Sequence, residues 1–378
     1  MMKKTRALIG ILLALAMAAG LFALRMPIAH AETFSQMKDS IPETVTFTID
    51  GEAVEVPVIL PDVETLPIGY ICPLKVDKEK MRELFGDTIA QIDTGRLILE
   101  VGEPFFQQGG TTVYLESGIA PLVDVTPEQA GQLFLDIVEK SGLPLEYRAE
   151  KVLARSGRYE TKKVEVSLVG KEEETKLARK EDVYPSFTQN VPDLSKPVAG
   201  KEAGAYDVIM TQMANGIPIH VTASPNGNGG FMGPYPALYL RSENDYYFKI
   251  VYTQQPCGTG EEPQLAAFET LVRNIQARID EGWLRAVDSL ELCYAQTFRL
   301  VNGKKIPAKE ADENNPFGVL VPAWKVNGYD RIHLTNRVSS AFEDPTPFER
   351  YIQLPPKGYH VTYDALTGEL WNRKGWND

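Results

Sequence analysis

The sequence predicts an α+β fold in two domains, each an antiparallel sheet with one amphipathic helix packed on it. Three observations predict it. Strand-like segments come in runs rather than alternating one for one with helices. Each half of the chain carries one long helix with a single apolar stripe, at 127–140 and at 263–281. The chain has 378 residues, 43% of them hydrophobic, which suits two cores better than one.

The elements follow in order. Residues 44–60 read as a β-hairpin: Val45, Phe47 and Ile49 alternate with threonines, Asp50-Gly51 supplies the turn, and Val54, Val56 and Val58 resume the alternation. Asp77 to Phe85 reads as a short helix ending at Gly86. In the helix over 127–140, Thr126 and Gln129 form a capping box, Pro127 occupies the first position, and Gly142 stops it. Its stripe is Leu133, Phe134, Ile137 and Val138. Strand-like segments follow at 145–154, 159–169 and 183–188. Residues 189–204 lose periodicity and gain Pro192, Ser195, Pro197, Gly200 and Gly204, so this stretch is expected as a linker between domains 32–188 and 205–378. A long inter-strand loop within one domain is the rival reading.

The second half opens with strands at 206–213 and 217–223 around an Asn215-Gly216 turn. A Gly/Pro/Asn loop covers 224–236, and strands at 237–241 and 246–253 meet at Asn244-Asp245. The second helix buries Leu265, Phe268, Leu271, Val272, Ile275 and Ile279. Strands at 289–301, 319–326 and 359–363 follow, with turns at Asn302-Gly303, Asn327-Gly328 and Thr367-Gly368.

The first 31 residues direct export. A basic start (Lys3, Lys4, Arg6) precedes an apolar run from Ala7 to Leu24 and then Ala29-His30-Ala31, the order of a secretory signal peptide with Ala29 and Ala31 at the cleavage site. An uncleaved signal anchor is the alternative, because the run has the minimal length of a membrane span. Cleavage removes Lys3, Lys4, Arg6 and Arg25 and no acid, so the net charge falls from −12 to −16. That charge disfavours nucleic acid and anionic lipid, and leaves membrane contact to an anchor. Localisation is expected to be secreted or extracytoplasmic. Of the three cysteines, Cys72 and Cys293 read as small buried hydrophobes, Cys257 sits in an expected turn, and a Cys257–Cys293 bridge is one pairing the sequence allows.

No catalytic motif emerges. There is no G-x-S-x-G elbow and no H-E-x-x-H, and after export only His220, His333 and His360 remain. No metal site or cofactor cradle is expected: Asp312-Glu313 lacks calcium-loop spacing, and Asn226–Gly230 lacks a following Lys-Ser/Thr. Aromatics gather in the second half, and alternation puts some on one sheet face. Phe231, Tyr235, Tyr239, Tyr247 and Trp324 are therefore the candidate partner-binding residues.

The segments Leu320-Val321-Pro322-Ala323-Trp324-Lys325-Val326 and Tyr359–Leu370, with Asn215-Gly216-Ile217-Pro218-Ile219, resemble the strands of PepSY-type and YycH/YycI-type extracytoplasmic domains of Gram-positive bacteria. The resemblance covers roughly 206–370 and implies a non-catalytic role, restraining a sensor kinase or peptidase or assisting a wall enzyme. The expectation is an exported binding or regulatory protein that contacts an envelope protein or peptide. A secreted glycan or peptide hydrolase using carboxylates on the aromatic sheet, and a structural envelope protein, are the rivals.

Overall fold

The computed structural model describes residues 32–93, 95–102, 121, 123–166, 187–199, 204–220, 236–251, 254–330, 360–371, 373 and 376–377. The fold is α+β. A large, mostly antiparallel sheet runs in the order β13-β3-β16-β14-β10-β9-β11-β12-β5-β4. These strands are β3 (Gly69–Pro73), β4 (Ile89–Asp93), β5 (Arg96–Val101), β9 (Ala205–Ala214), β10 (Ile217–His220), β11 (Ala237–Ser242), β12 (Asp245–Val251), β13 (Gln254–Thr259), β14 (Leu284–Val301) and β16 (Gly318–Asp330). The hairpin of β1 (Thr44–Ile49) and β2 (Glu52–Ile59) joins β14 in parallel, β6 (Glu146–Arg155) joins β9, and β17 (His360–Asp364) joins β16. Two short strands, β15 (Lys304–Lys305) and β18 (Trp376–Asn377), flank the end of β14, and among the described residues β7 (Tyr159–Val166) pairs only with β8 (Phe187–Pro197).

Two main cores sit on this sheet, each with one long helix. The first collects Phe34 and Met37 of α1 (Phe34–Met37), Phe47 and Val56 of the first hairpin, and Leu290, Leu292, Trp324 and Val326 under the α4 helix (Phe268–Asp280). The second packs α2 (Lys78–Phe85) and α3 (Pro127–Ser141) on Leu97, Leu99, Val208, Leu238, Leu240, Phe248 and Ile250. A smaller cluster of Ala295, Val319, Val321, Ala323 and Trp371 lies on the other face of β14 and β16.

Local signals explain several elements. Asp50 and Gly51 both take positive φ, which gives the first hairpin a turn whose twist matches the strands. At the start of α3, the Gln129 amide donates to the Thr126 hydroxyl oxygen at 3.3 Å, the Thr126 amide donates to Gln129 Oε1 at 2.7 Å, and Gly142 closes the helix at φ 63°. The α4 helix starts at Phe268 rather than 263: Leu265 is held in an antiparallel bridge with Glu32, and Ala267 is extended at ψ 138°.

Three expectations are corrected. The division of the chain is not at 189–204. Strand β8 covers most of that stretch, tolerating Pro192 and Pro197 because among the described residues it pairs with one neighbour only. Each core draws on both sides of it: β5 pairs β12, and β3 pairs β16. The second core is instead inserted between β3 and β13. Asn327-Gly328 is not a turn; β16 runs straight through it, and a Cβ on Gly328 would lie 2.0 Å from the Ala286 carbonyl oxygen. Cys257 pairs with Cys72, 185 residues away, not with Cys293, which is a buried free thiol. The bridge ties β3 to β13, so it closes the neck where the chain leaves the first core and returns to it.

Candidate functional site

Strand alternation builds the site. Leu99, Phe248, Leu238 and Val208 point at α3, so their neighbours occupy the opposite face of the same four strands. Register aligns Glu100, Tyr247, Tyr239 and Asp207 as one row across β5, β12, β11 and β9. Tyr239 and Tyr247 are directly paired, with ring centroids 6.1 Å apart and planes tilted by 48°. Asp207 is buried, and the Arg155 guanidinium bonds it at 2.5 Å while lying 5.1 Å from the Tyr239 ring centroid. Lys249 Nζ is 5.7 Å from the same ring. Beyond this row, Arg241 and Asp245 pair at 3.0 Å.

Burial pushes both phenols above their ordinary range, Asp207 adding to the effect at Tyr239 and Glu100 at Tyr247. Both therefore stay neutral hydroxyl groups near pH 7. The face presents two half-buried rings with polar tips, bordered by cations on fixed strands. Such a surface stacks on apolar or planar groups and hydrogen-bonds at its margins.

A second polar cluster stands where β6 meets the back of the first core's sheet. Lys325 Nζ lies 3.3 Å from Glu150 and 3.6 Å from Glu291, and Arg148 bonds Glu291 at 2.7 Å. Thr211 donates to Glu150 at 2.8 Å. Burial opposes ionisation of Glu150, but Lys325, Thr211 and Arg148 outweigh it and hold the carboxyl below its usual value. The Lys325 and Glu291 side chains are 10% and 8% exposed, so the seam is an internal tie between the two cores.

The structure brings Tyr239 and Tyr247 together and separates Trp324 from them. Trp324 is 3% exposed and packs on Phe268 at 5.4 Å in the first core, so its role as a binding residue is corrected to a core one. It points toward α4 because Trp324 alternates with Ala323 and Lys325 on the other face of β16. Phe231, Tyr235, the loop 224–235, Ala29 and Ala31 lie outside the described residues. Arg155, Asp207 and the Lys325 seam were not singled out from the sequence; a buried charge alternating with apolar neighbours in a strand was the available signal. Among the described residues no group of three or more His, Cys, Asp or Glu is placed to hold a metal ion, and no helix is long and apolar enough to cross a membrane.

No family model matches the chain, and no curated protein matches it. Among solved structures it is similar to that of an uncharacterized protein from Eubacterium rectale ATCC 33656, at 12% identity and a TM-score of 0.47, over 89% of this chain and 95% of that one.

Proposed function

We propose that the chain is an exported, non-catalytic binding or regulatory protein of the cell envelope, contacting a protein or peptide through the Tyr239–Tyr247 face. The observation that carries this reading is the paired tyrosines on a sheet face turned away from α3, with Arg155 and Lys249 beside them. Paired aromatics bordered by cations are the residue types that dominate protein contacts. The export signal and the Cys72–Cys257 bridge support an oxidising, extracytoplasmic location. The likeness to PepSY and YycH/YycI domains supports a regulatory role over a catalytic one.

The test is in-cell photocrosslinking from a reactive amino acid at position 247, with mass spectrometry of the product. One envelope protein or peptide should be captured, and its binding to the purified chain should weaken about thirtyfold or more in Tyr239→Ala, the effect of losing a central aromatic contact. Unchanged binding in Tyr239→Ala and Tyr247→Ala would overturn the assignment. Turnover of a glycan or peptide by the purified chain would favour the hydrolase rival.

A further inference from the structure

The far end of β14 carries a different surface. From Leu292 to Lys309 the chain has four cations, Arg299, Lys304, Lys305 and Lys309, and no acid, although acids outnumber cations 51 to 39 overall. Leu300 and Val301 pair with Lys305 and Lys304 across a tight turn at Asn302-Gly303, both in positive φ. The five residues from Val301 to Lys305 are all exposed, Val301 by 41%. Aromatic rings seat the cations: Lys305 Nζ is 3.6 Å from the Phe298 centroid, Arg299 is 5.8 Å from Tyr70, and Arg373 is 5.2 Å from Trp376. β18 brings Trp376 beside Arg299. Of the nearby acids, Glu310 pairs with Lys309 at 3.8 Å, Asp312 holds the amides of Asn314 and Asn315, and Asp364 pairs with Arg373.

We infer that this hairpin docks the exported protein on an anionic lipid surface. Charge complementarity selects an anionic partner. The exposed Val301 at the tip and the ring-seated cations behind it select a bilayer over a soluble polyanion. Interfaces reward aromatic rings and a shallow apolar contact beneath basic side chains, whereas a phosphate polymer rewards charge alone. The net negative charge of the remaining chain then orients the molecule, with this end toward the membrane and the rest repelled from it.

The experiment is sedimentation of the chain from Glu32 onward, whose fold is described above, with vesicles of phosphatidylglycerol mixed into phosphatidylcholine. Phosphatidylcholine alone and soluble polyphosphate serve as controls. Each basic side chain near a charged bilayer is worth roughly a fivefold change in partitioning. Lys304→Glu with Lys305→Glu should therefore lower binding to the anionic vesicles more than twentyfold, and added salt should lower it in the wild type. Val301→Ser, which removes the apolar contact without adding charge, should weaken vesicle binding and leave any polyphosphate binding unchanged. Equal binding to neutral vesicles, or no loss in the double lysine variant, would overturn the inference. So would vesicle binding indifferent to Val301→Ser, since that would make the surface a general polyanion site.

Discussion

Breaking the Cys72–Cys257 bridge is the perturbation with the most calculable effect. The bridge closes a loop of 185 residues that contains every residue of the inserted second core. In the chain-entropy model, freeing a loop of that length restores about 18 cal/mol/K to the unfolded chain, or about 5 kcal/mol at 25 °C. An unfolding entropy of about 2.1 cal/mol/K per residue over positions 32–377 comes to roughly 0.7 kcal/mol/K, so Cys257→Ala should lower a single cooperative Tm by about 7 °C. Two separate cores allow two transitions. The fall then concentrates in the transition that parts β3 from β13, because the bridge ties those strands. Scanning calorimetry of the oxidised wild type against Cys257→Ala reads both cases. A fall below about 2 °C in every transition would refute the reasoning, since by the same entropy it amounts to only ~1.5 kcal/mol.

Three further outcomes are expected. Lys325→Met leaves Glu291 buried with only Arg148 to balance it and should cost about 3–5 kcal/mol in urea denaturation, whereas Lys325→Met with Glu291→Leu should recover most of the loss. Glu150 has a folded pKa below its ordinary 4.5, so its contribution to stability is present above that value and is lost as pH falls through the folded pKa; Glu150→Gln should flatten the acid limb of a Tm-against-pH curve. Gly328→Ala drives a methyl group into the Ala286 carbonyl and should cost about 1–3 kcal/mol, and an unchanged denaturation midpoint would show that β14 and β16 separate there without penalty.

What was legible in the sequence is what short-range chemistry determines. Asp50-Gly51 between two alternating runs specified the first hairpin, and Thr126, Gln129 and Gly142 specified α3. The Tyr239–Tyr247 pairing was within reach for the same reason, since a short turn fixes the register of β11 and β12. That turn centres on Glu243-Asn244 rather than Asn244-Asp245, with a bulge between Leu240 and Ser242. Asn327-Gly328 gives the same turn signal as Asn302-Gly303, but in β16 the glycine serves close backbone approach. The Lys325 seam was out of reach, because its partners lie 143 and 175 residues apart and leave no periodic trace. Trp324 was misread because an aromatic in a strand looks the same whichever face it occupies; only the neighbouring α4 decides that it is core.

The insertion also explains why two similar-looking halves mislead. Each long helix covers one part of a single large sheet rather than a sheet of its own. The strands beneath each helix, however, come from both sides of 189–204, because β1, β2 and β3 precede the inserted core and β13, β14 and β16 follow it. The chain crosses between the cores after β3, between β9 and β10, between β10 and β11, and before β13, and non-local ties hold at or near several of these crossings. The Cys72–Cys257 bridge joins the outgoing and returning strands, and Gln212 Nε2 donates to the Gln254 carbonyl at 2.6 Å. The Lys325 seam holds β6 to β14 and β16. Strand β9 carries Asp207 beneath the tyrosine pair at one end and Thr211 and Gln212 at the seam and neck at the other. One continuous strand, β9, therefore runs from the Tyr239–Tyr247 row to the contacts between the two cores, with no intervening loop.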